Sequence, residues 1–506
     1  MFRPLLLLSF VALVSFARDV RVTTEPELRA AITAAQPGDV IILANGTYAV
    51  GSKISCTRPG TLAMPITVRG ETRFGATLES NTVIAIGVSA PHWHFEDFAM
   101  RGVCADDSNC EHAFQVTGAA TDVVLRRLRL VDFNAQLKVN ASPAGDGGYD
   151  MPHRGLVEAC EVYDTRPRNT SNPVTKLNID TGDDFVVRDN VIRDFSKNGG
   201  NFVSYGSFMK SGGKRGLYER NLVLCRSDGQ SMSDTRIGLS FGGGGTGAQY
   251  CAPAFDPMVP CSVEHEDGVL RNNIIANCSD VGVYLNRARN TLVLHNTLVG
   301  TNGVDFRFDT TSGRAIGNLL TSVVRTRDAA TMSASQNVMN VSVATFDAAY
   351  ATPLRGDLAV TGSTSAWDGQ VTPPAGVTDD FCARTRTAAM WSAGALEHPL
   401  GSCNTSKPPD GGVGGGGGGG ATGGGGGATG GGGGATGGGG ATGGGSALGG
   451  GSGGGDATGG GGGSAVDAGD VTDAGMNDGT TGSCGCSSFE GVSALLALVV
   501  LWRRRA

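Results

Sequence analysis

The sequence predicts an all-β chain wound as a single-stranded parallel β-helix, and three observations predict it. First, a seven-residue phrase recurs: VVRDNVI from Val186, LYERNLV from Leu217, VLRNNII from Val269 and LVLHNTL from Leu292. Looser copies are HFEDFAM from His94, VLRRLRL from Val124, LVEACEV from Leu156 and RAIGNLL from Arg314. Second, successive copies start mostly about 20 to 32 residues apart, the self-similarity of a repeat architecture. Third, each copy is short and rich in β-branched or other apolar residues, so each reads as a strand with one buried face. Strand-only repeats of this period stack into coils that bury their apolar faces against one another. The longer step from Leu217 to Val269 holds an extra coil or an inserted loop.

Along the chain, residues 1–17 read as a secretory signal: Arg3 supplies charge, residues 4–16 the apolar run, and Ser15-Phe16-Ala17 a small-x-small cleavage site. The β-helix domain is expected over residues 18–400. It opens with PELRAAITAAQPGD from Pro26, which has helical period over residues 27–35 and reads as a capping helix that shields the first edge. VIILANGTY from Val40 follows as a strand and an Asn-Gly turn. Coils run over residues 66–320, and residues 321–399 form a less regular closing segment. Residues 401–483 contain the glycine tract, where many of the 82 glycines crowd. No core forms from such a composition, and about 55 residues of it span roughly 40 Å as a flexible chain. Residues 484–506 carry a cysteine pair, a short apolar run over 492–502 and Arg503, Arg504 and Arg505, an anchor-like tail with a short apolar helix. That tail resembles the myxobacterial C-terminal sorting tail, which implies tethering at the outer envelope or cell surface.

A formal charge of −7 and a pI near 5.6 exclude a nucleic-acid partner. Export makes the twelve cysteines candidates for disulfides. Local pairs are Cys104 with Cys110, Cys251 with Cys261 and Cys382 with Cys403, while Cys160, Cys225 and Cys278 read as buried thiols. Spacings for paired CxxC metal sites are absent. The expected partners are a polysaccharide and, through the tail, a membrane; the expected state is a monomer.

Asn190, Asn221, Asn273, Asn296 and Asn318 share one place in their repeats. Stacked coils turn such a position into a ladder of buried amides, satisfied by one another and by backbone. These residues read as structural.

Function is sought on a second set of strands about ten residues before most of the phrases: AQLKVN from Ala135, TKLNID from Thr175, SFMKSG from Ser207, RIGLSF from Arg236, VYLNRA from Val283 and VDFRFD from Val304. Strand alternation sends Leu177, Ile179, Met209, Ile237, Leu239, Phe241, Val283, Leu285, Val304 and Phe306 inward. It sends Lys138, Lys176, Asn178, Asp180, Lys210, Ser240, Tyr284, Asn286, Asp305 and Arg307 outward. With coils about 4.8 Å apart, these make an elongated polar strip that suits an extended, anionic polymer such as a uronic-acid polysaccharide. RIGLSF falls in the long gap and is assigned to the extra coil.

Over residues 83–320 the chain resembles the chondroitinase-B-like branch of right-handed parallel β-helix proteins, which includes polysaccharide lyases. MKSGGKRGLYERNLV from Met209 and GLSFGGGG from Gly238 carry the likeness, and PGDVIILANGTY resembles the common opening of exported β-helices. The resemblance implies Lys210 as the base of a β-elimination and Asn178 as its Asn. Arg236 and Arg307 are then available cations to offset the intermediate's charge. It also implies calcium held by an Asn with acidic residues. The acidic ligands expected before the Lys are replaced by NFVSYGSF, and GLSFGGGG has no Arg. Asp180, Asp183 and Asp184 read as a turn, with calcium on their oxygens as the alternative. A hydrolase pair at Asp183 and Asp184 lacks the accompanying GHG and RIK segments. VEHEDG reads as a polar turn near the groove that brings His265 to the substrate, with proton transfer by His265 as the alternative. Two functions stand: polysaccharide lyase, or non-catalytic glycan-binding surface module.

Overall fold

The computed structural model describes residues 17–227, 234–243 and 245–405. The signal segment, almost all of the glycine linker and the sorting tail lie outside them. Three parallel sheets wrap one core. The first has twelve strands, from Asp19–Val22 to Thr331–Ser335. The second has ten, from Gly46–Val50 to Leu319–Leu320, and the third ten, from Ile54–Cys56 to Val324–Arg327. One coil visits them in turn: Leu156–Glu158, Glu161–Tyr163, Val174–Asp180, then Val186–Arg188 of the next coil.

The recurring phrase is therefore two strands, not one. In VVRDNVI, Val186–Arg188 belongs to the first sheet and Val191–Arg193 to the second. The fourth residue of the phrase turns the corner in the left-handed region: Asp189 (φ 58°), Arg220 (51°), Asn272 (55°), His295 (50°) and Gly317 (68°). Such a conformation costs a non-glycine residue about 1–2 kcal/mol. The fifth residue offsets it. Asn190 Nδ2 donates to Asn221 Oδ1 (3.0 Å), Asn221 to Asn273 (2.9 Å), Asn273 to Asn296 (2.9 Å) and Asn296 to Asn318 (3.0 Å). Asn318 extends the ladder to Asn337 (2.8 Å), a rung outside the recognised phrases.

The long gap holds no extra coil. Leu217–Glu219 pairs directly with Val269–Arg271, and Thr235–Phe241 is the third-sheet strand of that same coil. The surplus residues form an insertion after Phe241, closed by the Cys251–Cys261 disulfide. Cys104–Cys110 and Cys382–Cys403 also pair. Cys225 and Cys278 are not thiols: they join, 53 residues apart, because stacking puts Leu222–Leu224 beside Ile274–Ala276. Cys56 and Cys160 are free and buried.

At the start of the chain, helix Glu25–Ala34 is N-capped by Thr24, whose hydroxyl accepts from the Glu27 N–H, and it buries Leu28 and Ile32 in the core. The closing segment lays Phe346, Trp367, Phe381 and Trp391 over Leu222, Ile274 and Leu319, covering the second sheet. Arg–Glu ladders cover the first: Arg126 bridges Glu96 and Glu158, Arg188 pairs with Glu158, and Arg271 with Glu219. The outer face of the third sheet is left for the polar strip.

Candidate functional site

Register builds the strip from two adjacent rows. Lys138, Asn178, Phe208, Ser240, Tyr284 and Asp305 are successive partners in one. Two residues along, Asp180 pairs with Lys210, and Asn286 with Arg307. Gly242, whose N–H donates to the Met209 carbonyl, stands between those pairs. A Cβ there would collide with the Asn286 carbonyl, so this rung has room for no arginine.

Four of the residues converge. Asp180 lies between two lysines: Lys138 Nζ donates to its Oδ2, and Lys210 Nζ is 3.5 Å from its Oδ1. Lys138 also donates to Asn178 Oδ1 (3.1 Å). Lys210 donates to the Gly245 carbonyl (3.0 Å), and its ammonium sits 4.9 Å from the Phe208 ring centroid. Burial alone would raise the Asp180 carboxyl. The Lys138 and Lys210 ammoniums outweigh it and hold the carboxyl below its ordinary value. The triplet taken by itself, two ammoniums and one carboxylate, carries one surplus positive charge. It is reachable from solvent, since the three side chains keep 17%, 21% and 14% of their surface in the order Lys138, Asp180, Lys210. Beside it Glu264 is fully buried. Burial raises its carboxyl, against bonds from Thr246 Oγ1 (2.6 Å) and the Ser211 N–H (3.1 Å).

The rest of the strip is closed by its own pairing. Ser240 is fully buried and donates to the Tyr284 carbonyl (2.8 Å) and to the Gly242 carbonyl, so it faces no ligand. Tyr284 hydroxyl takes hydrogen bonds from Asn286 Nδ2 (3.2 Å) and Arg307 Nη1 (3.4 Å), and Arg307 Nε is paired with Asp328. Asp305 is 1% exposed beneath Arg325 and Arg327. Lys176, read as outward, is sealed under its own loop, donating to Asp164 (2.6 Å) and the Phe133 carbonyl (2.7 Å).

Two predicted site residues leave the strip altogether. Arg236 is 3% exposed, with Nε 3.3 Å from Asp234 and Nη1 3.5 Å from the Cys225 carbonyl. The strand changes phase at Gly238. Ile237 packs outside the main core with Val281 and Tyr284, while Leu239 and Phe241 lie within it, so Arg236 turns inward. Arg236 also stands opposite Ser204, six residues before Lys210, about 20 Å away at 3.3 Å per residue. His265 is buried flat against Phe241 (4.1 Å between centroids), and its Nε2 accepts from the Gly216 N–H (3.3 Å). Burial pushes its imidazole down to about 3, so it stays neutral and moves no proton at the surface.

The three aspartates do not fit calcium. Asp180 is taken by the two lysines, Asp183 and Asp184 both by Arg215. Among the described residues no group of acidic, His or Cys side chains is arranged to hold a metal. The same Arg215 pairing removes Asp183 and Asp184 as a hydrolytic couple.

No protein-family model and no curated protein matches this sequence. Solved structures with a similar course of chain include a pectate lyase (11% identity, covering 76% of this chain and 97% of that one, TM-score 0.48). Others are a rhamnogalacturonan lyase (14%, 63% and 87%, TM-score 0.43) and an alginate lyase from Paenibacillus sp. str. FPU-7 (16%, 63% and 99%, TM-score 0.31).

Proposed function

We propose that this protein binds an extended, anionic polysaccharide of the uronate class along its third sheet, and that it is exported and tethered at the envelope through its C-terminal tail. One observation carries the reading: the half-open Lys138–Asp180–Lys210 triplet on the outer face of a parallel sheet. A carboxylate of the polymer meets two oriented ammoniums there, and charge-assisted hydrogen bonds are the strong ones. Binding is favoured over β-elimination. Arg236 lies far from Lys210, Arg307 is committed to Asp328, and no metal-ligand group accompanies them among the described residues. The four disulfides support an oxidising compartment, and cell fractionation with an antibody to the coil domain tests the address.

Calorimetric titration with polygalacturonate, at several salt concentrations, tests the binding. Wild-type protein is expected to bind with an affinity that falls as salt rises. Lys138→Ala and Lys210→Ala each weaken it by about tenfold and flatten the salt dependence. Equal binding by all three proteins, or none by any uronate polymer, refutes the reading. Ultraviolet absorbance from unsaturated sugar ends, lost in Lys210→Ala, would replace binding by lyase action.

A further inference from the structure

A second cation faces the same insertion and has no anionic partner among the described residues. Arg287 follows Asn286 at the end of strand Val283–Asn286, with φ 53° turning its side chain off the sheet. Its guanidinium carbon lies 5.1 Å from the Phe308 ring centroid. Among the described residues no carboxylate or hydrogen-bond acceptor takes its side chain. Nearby arginines are not available in this way: Arg307 is bound to Asp328 and Arg289 to Glu266. Arg287 lines an open cavity of about 490 Å³ between the insertion and the turn that follows Val304–Arg307. That volume lies within the range of small-ligand pockets.

The other walls match a sugar acid. Ser262 brings a hydroxyl, Thr246 and Thr310 hydroxyl oxygens whose protons go to Glu264 and the Ser262 carbonyl, Asp309 a carboxylate with no partner among the described residues, and Pro260 an apolar surface. Thr310 Oγ1 donates to the Ser262 carbonyl (2.7 Å), which ties the insertion to the turn and shapes the cavity. A planar guanidinium takes a carboxylate with two parallel hydrogen bonds. The hydroxyls and Asp309 suit the ring hydroxyls of the same sugar. The cavity also abuts the lysine triplet: Gly245 holds Lys210, and Thr246, the next residue, lines the cavity. By register Arg287 stacks through Glu264 on Gly212, two rungs or about 10 Å from the turn that directly follows Lys210. One carboxylate reaches only one of the two sites, whereas a chain with repeated carboxylates reaches both.

We infer that the Arg287 cavity is a second subsite for a uronate residue, so that one polymer chain is held at two anchors: the Lys138–Lys210 pair and Arg287. This rests on the binding function proposed above and specifies its geometry. Two anchors on one chain act through effective concentration, so affinity rises with chain length beyond what either gives alone.

The test titrates polygalacturonate and monomeric galacturonate into wild type, Arg287→Asn and Lys210→Ala. Asparagine tolerates the left-handed backbone, and Arg287 is only half-buried, so folding is preserved. Arg287→Asn is expected to lose about tenfold for the polymer. It also shrinks the polymer-to-monomer affinity ratio and leaves the galacturonate contact of the lysine pair unchanged. Polymer binding that depends on Lys210 but is indifferent to Arg287→Asn overturns this inference alone. Absence of polymer binding by wild type overturns the binding function and this subsite with it.

Discussion

Replacing Asn273 by alanine should damage the coil far more than removing one side chain from a surface. Asn273 is fully buried. Its Oδ1 accepts from the Asn221 backbone N–H (3.0 Å) and Nδ2 (2.9 Å); its Nδ2 donates to the Tyr218 carbonyl (3.0 Å), the Arg271 carbonyl (3.1 Å) and Asn296 Oδ1 (2.9 Å). Alanine removes both ends of this exchange. The buried Asn221 N–H then loses its acceptor, which costs about 1–3 kcal/mol, and the remaining bonds contribute about 1 kcal/mol each. Partial rescue by Val187, which still accepts from Asn221 Nδ2, brings the total to about 4–6 kcal/mol. The terminal rung is the control. Asn337 is only half-buried and has no rung beyond it, so Asn337→Ala should cost about 1–2 kcal/mol. Asn273→Asp keeps the shape but points a carboxylate at three acceptors, and should be no better than alanine. Urea unfolding midpoints at unchanged slope measure all three. A cost for Asn273→Ala below about 1 kcal/mol, or equal to that of Asn337→Ala, refutes the ladder as a source of stability.

Two further outcomes follow from buried groups. Cys225 and Cys278 close a loop of 53 residues and Cys104 and Cys110 one of 6. Paired Cys→Ala variants should lose about 4 and about 2 kcal/mol respectively on the chain-entropy account, and equal losses in thermal denaturation would contradict it. His265 and His295 are each pushed down to about 3 by burial. Each is neutral in the folded chain while the unfolded chain titrates near 6.5, so their stabilisation is complete above about pH 6.5 and is lost as pH falls towards 3, at about 1.4 kcal/mol per pH unit per group. His265→Phe, which keeps the stack on Phe241, should flatten the acid limb by that slope; an unchanged limb would show that His265 does not titrate on unfolding.

Much of the architecture was legible because a solenoid repeats the same local problem. The phrase, its period and its asparagine announced stacked coils, and each Asn of the ladder pairs with the one a coil away. The phrase concealed its own corner. Asp189 and Asn190 keep the apolar alternation in step on both sides of the bend, so a two-residue turn between sheets looked like one continuous strand. Lys138, Asn178, Asp180 and Lys210 could be placed on one face from strand parity, and they meet there. Arg236 could not, because a single glycine, Gly238, shifts the phase, and parity carries no mark of a slip. His265 and Lys176 were polar letters next to a groove; Phe241 covers the first and the loop carrying Asp164 the second, and parity shows neither.

The sequence by itself determined the coil, its buried asparagine spine and the direction of most side chains, since those depend on alternation and on neighbours one repeat away. Only the tertiary structure decided which outward groups stay open. Coverage depends on where the insertion after Phe241 settles and on which cation reaches which carboxylate across rungs. Those are contacts between residues about 40 to 55 positions apart, such as Lys138 with Asp180 and Ser211 with Glu264. Distance in the chain carries no information about them until the coils have stacked.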